Sequence, residues 1–184
     1  ILFDIFKEYE TAIEKYLMTL ESRLPGYNKK KSDKNKLLIL NENDTKSMCI
    51  ILNTAAYCAE ICPGLQHQSR SIIDEKFHTQ VDLSNTIEKC YELRTKALFA
   101  LINSILGQVN KTLIQMYKRQ WHVLTSMGDQ SEYIIGIVNI LKRELPIIVG
   151  FLKSSAHLLF CNKLVEKLIE EYMTALFKCK KVSS

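Results

Sequence analysis

The sequence predicts an all-α protein, and three observations support that prediction. Apolar residues recur at steps of three and four through most of the 184 residues, which is the spacing of one face of an α-helix. The chain contains six glycines and three prolines, so few positions interrupt helices. No segment alternates apolar and polar residues as a half-buried strand does, and no repeat of about 20 to 50 residues is visible. With 47% hydrophobic residues, the chain is long enough for one substantial core or two small ones.

Residues 1 to 24 are predicted to form an amphipathic helix. Its apolar positions are Leu2, Ile5, Phe6, Tyr9, Ile13, Tyr16, Leu17, Leu20 and Leu24. Pro25 and Gly26 end the pattern, since both residues are common just past the end of a helix. The sequence opens directly on this pattern without an initiator methionine. We therefore expect the helix to continue from an upstream segment of a longer protein.

Residues 25 to 44 are predicted to be a Lys-rich linker. Five lysines and one aspartate lie between residues 29 and 36, so this tract carries +4 of the net charge of +5. The rest of the chain is not broadly basic and shows no alternation of basic and aromatic residues. A solvated linker is therefore a better interpretation than a nucleic-acid-binding arm, and we expect no nucleic-acid partner.

Residues 45 to 184 are predicted to form a C-terminal helical bundle. The first helix begins near residue 44 or 45 and is expected to stop at Pro63, with a shorter helix after it. The longest apolar pattern begins at Asp82 or Ser84. If it is unbroken to Met127 it spans about 40 residues, or roughly 60 Å, and Gly107 is the expected site of a kink.

A tight corner between two antiparallel helices is predicted after Met127. Gly128 suits the left-handed conformation that closes a helix, and Asp129 with Glu132 matches the capping box that opens the next one. Trp121 lies on the apolar face before the corner. We predict that this side chain is a large buried anchor.

Tyr133 and Pro146 are predicted to have structural roles after the corner. Tyr133 is the first core residue of the returning helix, whose apolar face continues to Leu145. Pro146 is expected in the first turn of a final helix, because that turn tolerates a residue without an N–H group.

Basic residues lie on both sides of the predicted corner, with Lys118 and Arg119 before it and Lys142 and Arg143 after it. In an antiparallel hairpin these four cations lie within a few turns of one another. One hypothesis is that they contact an anionic surface, either acidic lipid headgroups or an acidic patch on a partner. The competing interpretation is that they solvate the surface and offset a helix dipole.

No motif of a catalytic, cofactor or metal site is visible. The glycine-rich phosphate loop, the zinc-protease helix motif and the serine-hydrolase turn are all absent. Cys58, Cys62 and His67 do not have a zinc-site spacing, and Glu75 with His78 forms one copy of a di-iron motif that needs two. The longest apolar runs are far short of the roughly 20 residues of a membrane span. We predict a protein that is not an enzyme and has no cofactor.

Several short segments resemble a known family in their order and spacing. They are ILNTAAYC at residues 51 to 58, QW at 120 and 121, GDQSEY at 128 to 133, LPII at 145 to 148 and LFKCK at 176 to 180. From about Cys49 onward the chain resembles the C-terminal region of the vacuolar protein sorting-associated protein fifty-three family. That family supplies a subunit of the Golgi-associated retrograde protein (GARP) tethering complex. The chain departs from the family pattern at Pro63 and Gly64. At these positions the family pattern is typical of a continuing polar helix.

The resemblance implies an elongated helical rod of the CATCHR tethering class and no enzymatic activity. It implies other tethering-complex subunits, SNARE proteins, small GTPases and an anionic membrane surface as partners. The implied setting is cytoplasmic and peripheral, at the membranes of the trans-Golgi network and endosomes, in retrograde transport and endosomal recycling. The alternative is a stand-alone helical adaptor domain that binds a partner helix in a groove.

Overall fold

The computed structural model describes residues 1 to 25, 39 to 119 and 131 to 179. Within these ranges the chain forms α-helices joined by short connections and contains no strand, so the all-α prediction is confirmed. The helices are α1 (Leu2–Ser22), α2 (Glu42–Ile72), α3 (Ser84–Lys118), α4 (Glu132–Phe151) and α5 (Ser154–Phe177), with a 3-10 helix at Glu75–Gln80. Trp121, Gly128 and Asp129 lie outside the described residues, as does most of the predicted linker.

The chain divides into two compact units. The first unit contains Ile1–Lys34 and Ser47–Ala100, and the second contains Asn35–Lys46 and Leu101–Ser184. Two of the three boundaries fall inside helices, near the start of α2 and in the middle of α3. The third, between residues 34 and 35, lies outside the described residues.

The first unit packs α1 against the 3-10 helix and the first half of α3. Its core cluster contains Phe6, Cys62, Ile73, Val81 and Leu83. The Phe3 and Phe77 rings stack with their centroids 4.6 Å apart. Two ion pairs join α1 to α3, Glu14 with Lys89 at 2.7 Å and Glu21 with Lys96 at 2.6 Å. Because both partners rise together in sequence, α1 and this part of α3 run in the same direction.

The connection after α2 is fixed by side chains of α2 itself. Gln66 Oε1 accepts a hydrogen bond from the Leu83 N–H at 2.7 Å, and Arg70 Nε donates to the Val81 carbonyl at 2.9 Å. Asp82 then accepts from the Ser84 N–H at 3.1 Å at the start of α3, as a residue before a helix is expected to do. α3 continues as one helix through Gly107.

The prediction that Pro63 ends a helix is wrong, because α2 continues through Pro63 to Ile72. Pro63 and Gly64 are exposed, so the ring meets water rather than a neighbouring helix. Proline removes one helical hydrogen bond. Cys62, Ser69 and the following Ile73 keep the apolar face of the segment buried across the proline. Packing of that face stabilises the helix more than the lost bond destabilises it.

The second unit contains the rest of α3 together with α4 and α5. α4 runs antiparallel to α3, since Gly136 lies against Thr112 and Arg143 hydrogen-bonds to Gln108. α5 returns along α4, because α5 begins three residues after α4 ends and Tyr172 hydrogen-bonds to Tyr133. The buried residues of this packing include Ile137, Ile148, Phe160, Leu164 and Ala175. Helix order in the second unit is therefore up, down and up.

The predicted start of α4 is also corrected. α4 begins at Glu132 with Ser131 as its N-cap residue, and no side-chain hydrogen bond caps it. Glu132 is therefore the first residue of the helix rather than the third, and a capping box with Asp129 requires the third. The Ile134 and Ile135 N–H groups donate to the Ser131 carbonyl at 2.9 and 3.2 Å.

The prediction that Pro146 opens the final helix is wrong. Pro146 lies inside α4, which ends at Phe151, and α5 begins at Ser154. Pro146 is exposed, whereas Ile148 is 1% exposed two residues later, so α4 keeps its buried contact beyond the proline. The break comes at Leu152 and Lys153, which are both extended. Since Leu152 is buried, packing rather than the proline sets the end of α4.

Among the described residues, two helical stretches are long and apolar enough to cross a membrane by composition alone. They are Glu42–Ile72 and Glu75–Lys118, which contain 18-residue windows with mean hydropathies of 1.4 and 1.3. The sequence-based expectation of no such segment overlooked them, because it considered only uninterrupted apolar runs. Core helices pass the same criterion, and both stretches supply much of the buried core.

Candidate functional site

The basic residues that the sequence singled out separate into two pairs. Lys118 and Arg119 lie at the C-terminal end of α3, beside the start of α4. Lys142 and Arg143 lie ten and eleven residues farther along α4 than Glu132. Ten helical residues span about 15 Å, so the four cations do not form one cluster.

Lys118 and Arg119 line an open cleft between α3 and α4, with a volume of about 710 Å³. The described residues of this cleft are Lys111, Ile114, Gln115, Lys118, Arg119, Glu132 and Tyr133, and we call it the basic cleft. Lys111, Gln115 and Lys118 are four and three residues apart, so they share one face of α3. Lys111 is a site residue that the sequence analysis did not identify. It lies seven residues before Lys118, and this spacing could have indicated that the two lysines share one face of a helix.

The charges of the basic cleft are not balanced by its own residues. Three cations and one carboxylate line it, which gives a net charge of +2 among the described lining residues. Lys111, Lys118 and Arg119 are exposed, and none of them forms an ion pair within the described part of the chain. Such an arrangement attracts anions, and each basic residue close to an acidic lipid surface contributes about 1 kcal/mol.

Arg143 is used inside the second unit. Its guanidinium donates to Gln108 of α3 and, at 2.9 Å, to the carboxylate of Glu144. The Glu144 side chain is only 14% exposed, so this pair is partly shielded from water. Arg143 therefore helps to hold α4 against α3, while its side chain remains 60% exposed.

Lys142 borders an apolar surface instead of another charge. It lines an open cavity of about 400 Å³ together with apolar residues of α4, namely Val138, Leu141, Leu145, Pro146 and Val149. Lysine stems commonly cover such surface while the ammonium group remains in water. The structure thus places Pro146 on an exposed apolar face of α4.

Tyr133 lies where the basic cleft meets α5. Burial raises the pKa of the Tyr172 hydroxyl, and its hydrogen bond with Tyr133 raises that pKa further. Tyr133 is half-buried, so it is both a cleft residue and a packing residue. The side chain of Tyr133 thus lines the basic cleft and also contacts α5.

Among the described residues, no group of three or more His, Cys, Asp or Glu side chains is arranged to hold a metal ion. Cys58, Cys62 and Cys90 lie near one another, but burial raises the pKa of each thiol, and that of Cys90 reaches about 12. These thiols are neutral at physiological pH and therefore weak nucleophiles and ligands. The His78 ring nitrogen Nε2 lies 2.8 Å from the Ile73 carbonyl, within its own turn.

Comparison with curated proteins gives matches along most of the chain. Vacuolar protein sorting-associated protein 53 A of Arabidopsis thaliana is 27% identical over 186 aligned residues, covering 99% of this chain and 22% of the relative. The vacuolar protein sorting-associated protein 53 homolog of Caenorhabditis elegans is 29% identical over 141 residues, covering 74% of this chain and 17% of the relative.

The chain is homologous to part of vacuolar protein sorting-associated protein 53. The resemblance read from the short sequence segments is thereby confirmed. The chain spans about a fifth of the length of the curated relatives it matches. No family model matches the chain, and no solved structure matches it.

Proposed function

We propose that the chain is a segment of a non-catalytic subunit of a GARP-like vesicle-tethering complex. The complex would act in retrograde transport from endosomes to the trans-Golgi network and in endosomal recycling. The observation that carries the proposal is the similarity to vacuolar protein sorting-associated protein 53 over 99% and 74% of the chain. The all-α fold supports it, since helical scaffolds present long surfaces to partners.

The proposed partners are the other subunits of the tethering complex, SNARE proteins and small GTPases. The proposed location is the cytoplasmic surface of trans-Golgi and endosomal membranes. The basic cleft supports a membrane contribution, because its three cations form no ion pair within the described part of the chain and are exposed to acidic headgroups. Ile114 lines the same cleft and is 38% exposed, which adds apolar surface beside the charges.

Affinity purification of the full-length polypeptide tests this proposal. A tether subunit should bring down the remaining subunits of the complex in fixed proportion, as judged by quantitative mass spectrometry. Deletion of the segment that this chain represents should then weaken recovery of SNARE proteins or of membranes. The abundance of the polypeptide should not change. Purification of the full-length polypeptide alone would overturn the proposal.

The second candidate function is that of a stand-alone helical adaptor. The exposed apolar residues of α5 favour this function. An adaptor should bind one helical partner and should not enrich tethering subunits. The same purification therefore separates the two functions.

A further inference from the structure

The cations of the basic cleft lie toward its two ends on α3. Lys111 and Lys118 are seven residues apart, which is two turns or about 10 Å along the helix. Arg119 follows Lys118, so one end of the cleft holds one cation and the other end holds two. Gln115 lies between the two ends, and its amide can both donate and accept hydrogen bonds.

The acidic residue of the cleft, Glu132, also lies between those ends. Gly136 of α4 lies against Thr112 of α3, and the two helices are antiparallel. Glu132 is one turn before Gly136, so it lies level with Gln115, which is about one turn after Thr112. The Glu132 side chain is exposed and forms no ion pair within the described part of the chain. Two hydrogen-bond acceptors thus line the middle of a cleft whose ends are cationic.

This arrangement selects against a ligand that is anionic throughout. A phosphatidic acid headgroup or a row of acidic side chains would pair with the cations but bring negative charge against Glu132. A ligand with phosphates at both ends and hydroxyl groups between them suits every polar group of the cleft. The phosphates would accept from Lys111, Lys118 and the guanidinium fork of Arg119. The hydroxyl groups would donate to the Glu132 carboxylate and to Gln115 Oε1.

The size of the cleft and its apolar border favour a lipid headgroup. Its volume of about 710 Å³ is within the range of roughly 300 to 1,000 Å³ that small-ligand sites occupy. Ile114 is exposed beside the charges. The Tyr133 hydroxyl is bonded to Tyr172, so Tyr133 adds mainly its ring to the cleft. Apolar surface next to a basic site can enter the boundary between headgroups and acyl chains.

We propose that the basic cleft binds the headgroup of a phosphoinositide, a phosphorylated inositol ring carried by a membrane lipid. Lys111 binds a phosphate on one side of the ring, and Lys118 with Arg119 binds a phosphate on the opposite side. Gln115 and Glu132 accept hydrogen bonds from the ring hydroxyls between them. An unmodified polypeptide segment, of this protein or of a partner, supplies no phosphate. The inference rests on the proposed function only for the presence of a membrane, since the residues of the cleft define the ligand.

Sedimentation of the 184-residue chain with vesicles tests the proposal. One set of vesicles contains phosphatidylinositol 4-phosphate in neutral phosphatidylcholine, because that headgroup has phosphates at opposite positions of its ring. The other set contains phosphatidic acid at equal surface charge, which has a phosphate but no ring hydroxyls. The chain should bind the first set roughly tenfold more tightly, since two additional hydrogen bonds form. Lys118→Gln should weaken that binding roughly fivefold.

Lys178→Gln is the matched control for Lys118→Gln. Lys178 is an exposed cation at the end of α5, where its ammonium group lies 5.8 Å from the centre of the Tyr117 ring, and it does not line the cleft. Its substitution should leave binding to both sets of vesicles unchanged. The substituted side chains are exposed, so thermal melts of these variants should match that of the parent chain.

Two substitutions of Glu132 separate charge from hydrogen bonding. Glu132→Gln and Glu132→Ala both remove the carboxylate charge, but only the first keeps a hydrogen-bond acceptor. The preference for phosphatidylinositol 4-phosphate over phosphatidic acid should persist in Glu132→Gln and fall roughly fivefold in Glu132→Ala. An equal preference in both variants would mean that Glu132 accepts no hydrogen bond from the ring and would overturn the proposed site.

Three other outcomes would overturn the proposal. Equal binding of the parent chain to the two sets of vesicles would make the cleft a general basic surface. Binding of soluble inositol 1,4-bisphosphate as tight as that of the vesicles would assign the cleft to a soluble ligand. Displacement of the vesicles by polyglutamate as readily as by inositol 1,4-bisphosphate at equal charge would assign it to an acidic polypeptide. Each of these outcomes leaves the tethering proposal standing, because recovery of the other subunits is measured separately.

Discussion

The two compact units position their helices by different means. In the first unit, ion pairs at 2.7 and 2.6 Å join Glu14 and Glu21 of α1 to Lys89 and Lys96 of α3. In the second unit, α3 and α4 approach so closely that a Cβ on Gly136 would lie 2.8 Å from a methyl carbon of Thr112. Ion pairs accompany the apolar contacts between helices in the first unit, whereas a close contact of Gly136 with Thr112 accompanies them in the second.

The two units also differ in how some of their cations are used. In the first unit, Lys89 and Lys96 lie between helices and are paired there. The second unit uses Arg143 in packing but leaves Lys111, Lys118 and Arg119 without carboxylate partners in the described part of the chain. These three exposed cations of the second unit are therefore available to an outside partner.

Both units also depend on buried aromatic rings, and removing those rings should have the largest effect. Phe6 is 4% exposed in the first unit, and Phe160 is fully buried in the second. Phe6→Ala and Phe160→Ala should each lower the free energy of unfolding by about 3 to 5 kcal/mol in urea titrations. Phe177, which is 84% exposed, is the control, and Phe177→Ala should leave stability nearly unchanged. A small effect at Phe160 alone would mean that α5 is not held by its buried face.

Two glycines of α4 test whether close approach holds the second unit. Gly136→Ala should destabilise it by about 1 to 3 kcal/mol, because the added methyl group meets Thr112. Nothing lies within 4 Å of the equivalent position at Gly150, so Gly150→Ala should stabilise α4 by roughly 0.5 to 1 kcal/mol. Thr112→Ala in the same chain should rescue Gly136→Ala. Thermal melts that move in the same direction for both glycine variants would contradict the close-approach model.

Charge reversal should affect stability in the first unit and binding in the second. Lys89→Glu with Lys96→Glu should lower stability by roughly 1 kcal/mol, since these partly exposed pairs contribute little individually. Lys111→Glu, Lys118→Glu and Arg119→Glu together should leave stability within about 0.5 kcal/mol of the parent. The triple variant should reduce sedimentation with phosphatidylserine vesicles roughly a hundredfold, given about 1 kcal/mol for each cation.

Vesicles of neutral phosphatidylcholine are the control for that experiment, and the interaction should weaken as salt is added. Lys142→Glu and Arg143→Glu form a separate comparison, because these residues lie outside the basic cleft. If they reduce vesicle binding as much as the triple variant does, the four-residue surface predicted from the sequence is the better description.

The smallest expected difference concerns thiols. Burial raises the pKa of Cys90 to about 12 and that of Cys49 to about 11, from an ordinary value of 9.0. Both lie in the first unit, whereas Cys161 and Cys179 of the second unit are only half-buried. Iodoacetamide at pH 8 should modify Cys161 and Cys179 first, as peptide mapping can establish.

The same pKa shifts predict a loss of stability in alkali. The folded state holds the Cys90 proton more tightly than the unfolded state, so its contribution is complete below about pH 9 and falls as pH rises towards 12. The urea midpoint of the parent chain should drop between pH 8 and pH 10. It should drop less in Cys90→Ala, and an identical drop would contradict the assignment to this thiol.

Helix type could be predicted from the sequence more securely than helix ends. The three- and four-residue spacing located all five α-helices of the described residues, although Pro63 and Pro146 misled the boundaries. Proline disfavours a helix interior locally, but both prolines are exposed, and Cys62 and Ile148 close to them are buried in tertiary contacts. Local preference cannot report those contacts, since they come from residues distant in sequence.

The candidate site was predictable only in part for a similar reason. Lys118 and Arg119 were found from their charge, and Lys111 follows from the seven-residue spacing once the helix is known. The sequence could not predict that Arg143 lies outside the basic cleft. Its position depends on where α4 packs along α3, beside Gln108. The exposed apolar residues of α5, such as Leu158, Val165 and Ile169, illustrate the converse case. Their spacing is visible in the sequence, but only burial distinguishes these exposed residues from the packed ones.

α2 and α3 each contribute residues to both compact units, and this sharing has a consequence for cooperativity. Unfolding either unit would remove the tertiary contacts of half of α3, and isolated helices of such length are only marginally stable in water. Neither unit can therefore melt while leaving the shared helices intact. The chain should lose its helices in a single transition, and a protein divided at residue 100 would yield two poorly folded halves rather than two domains.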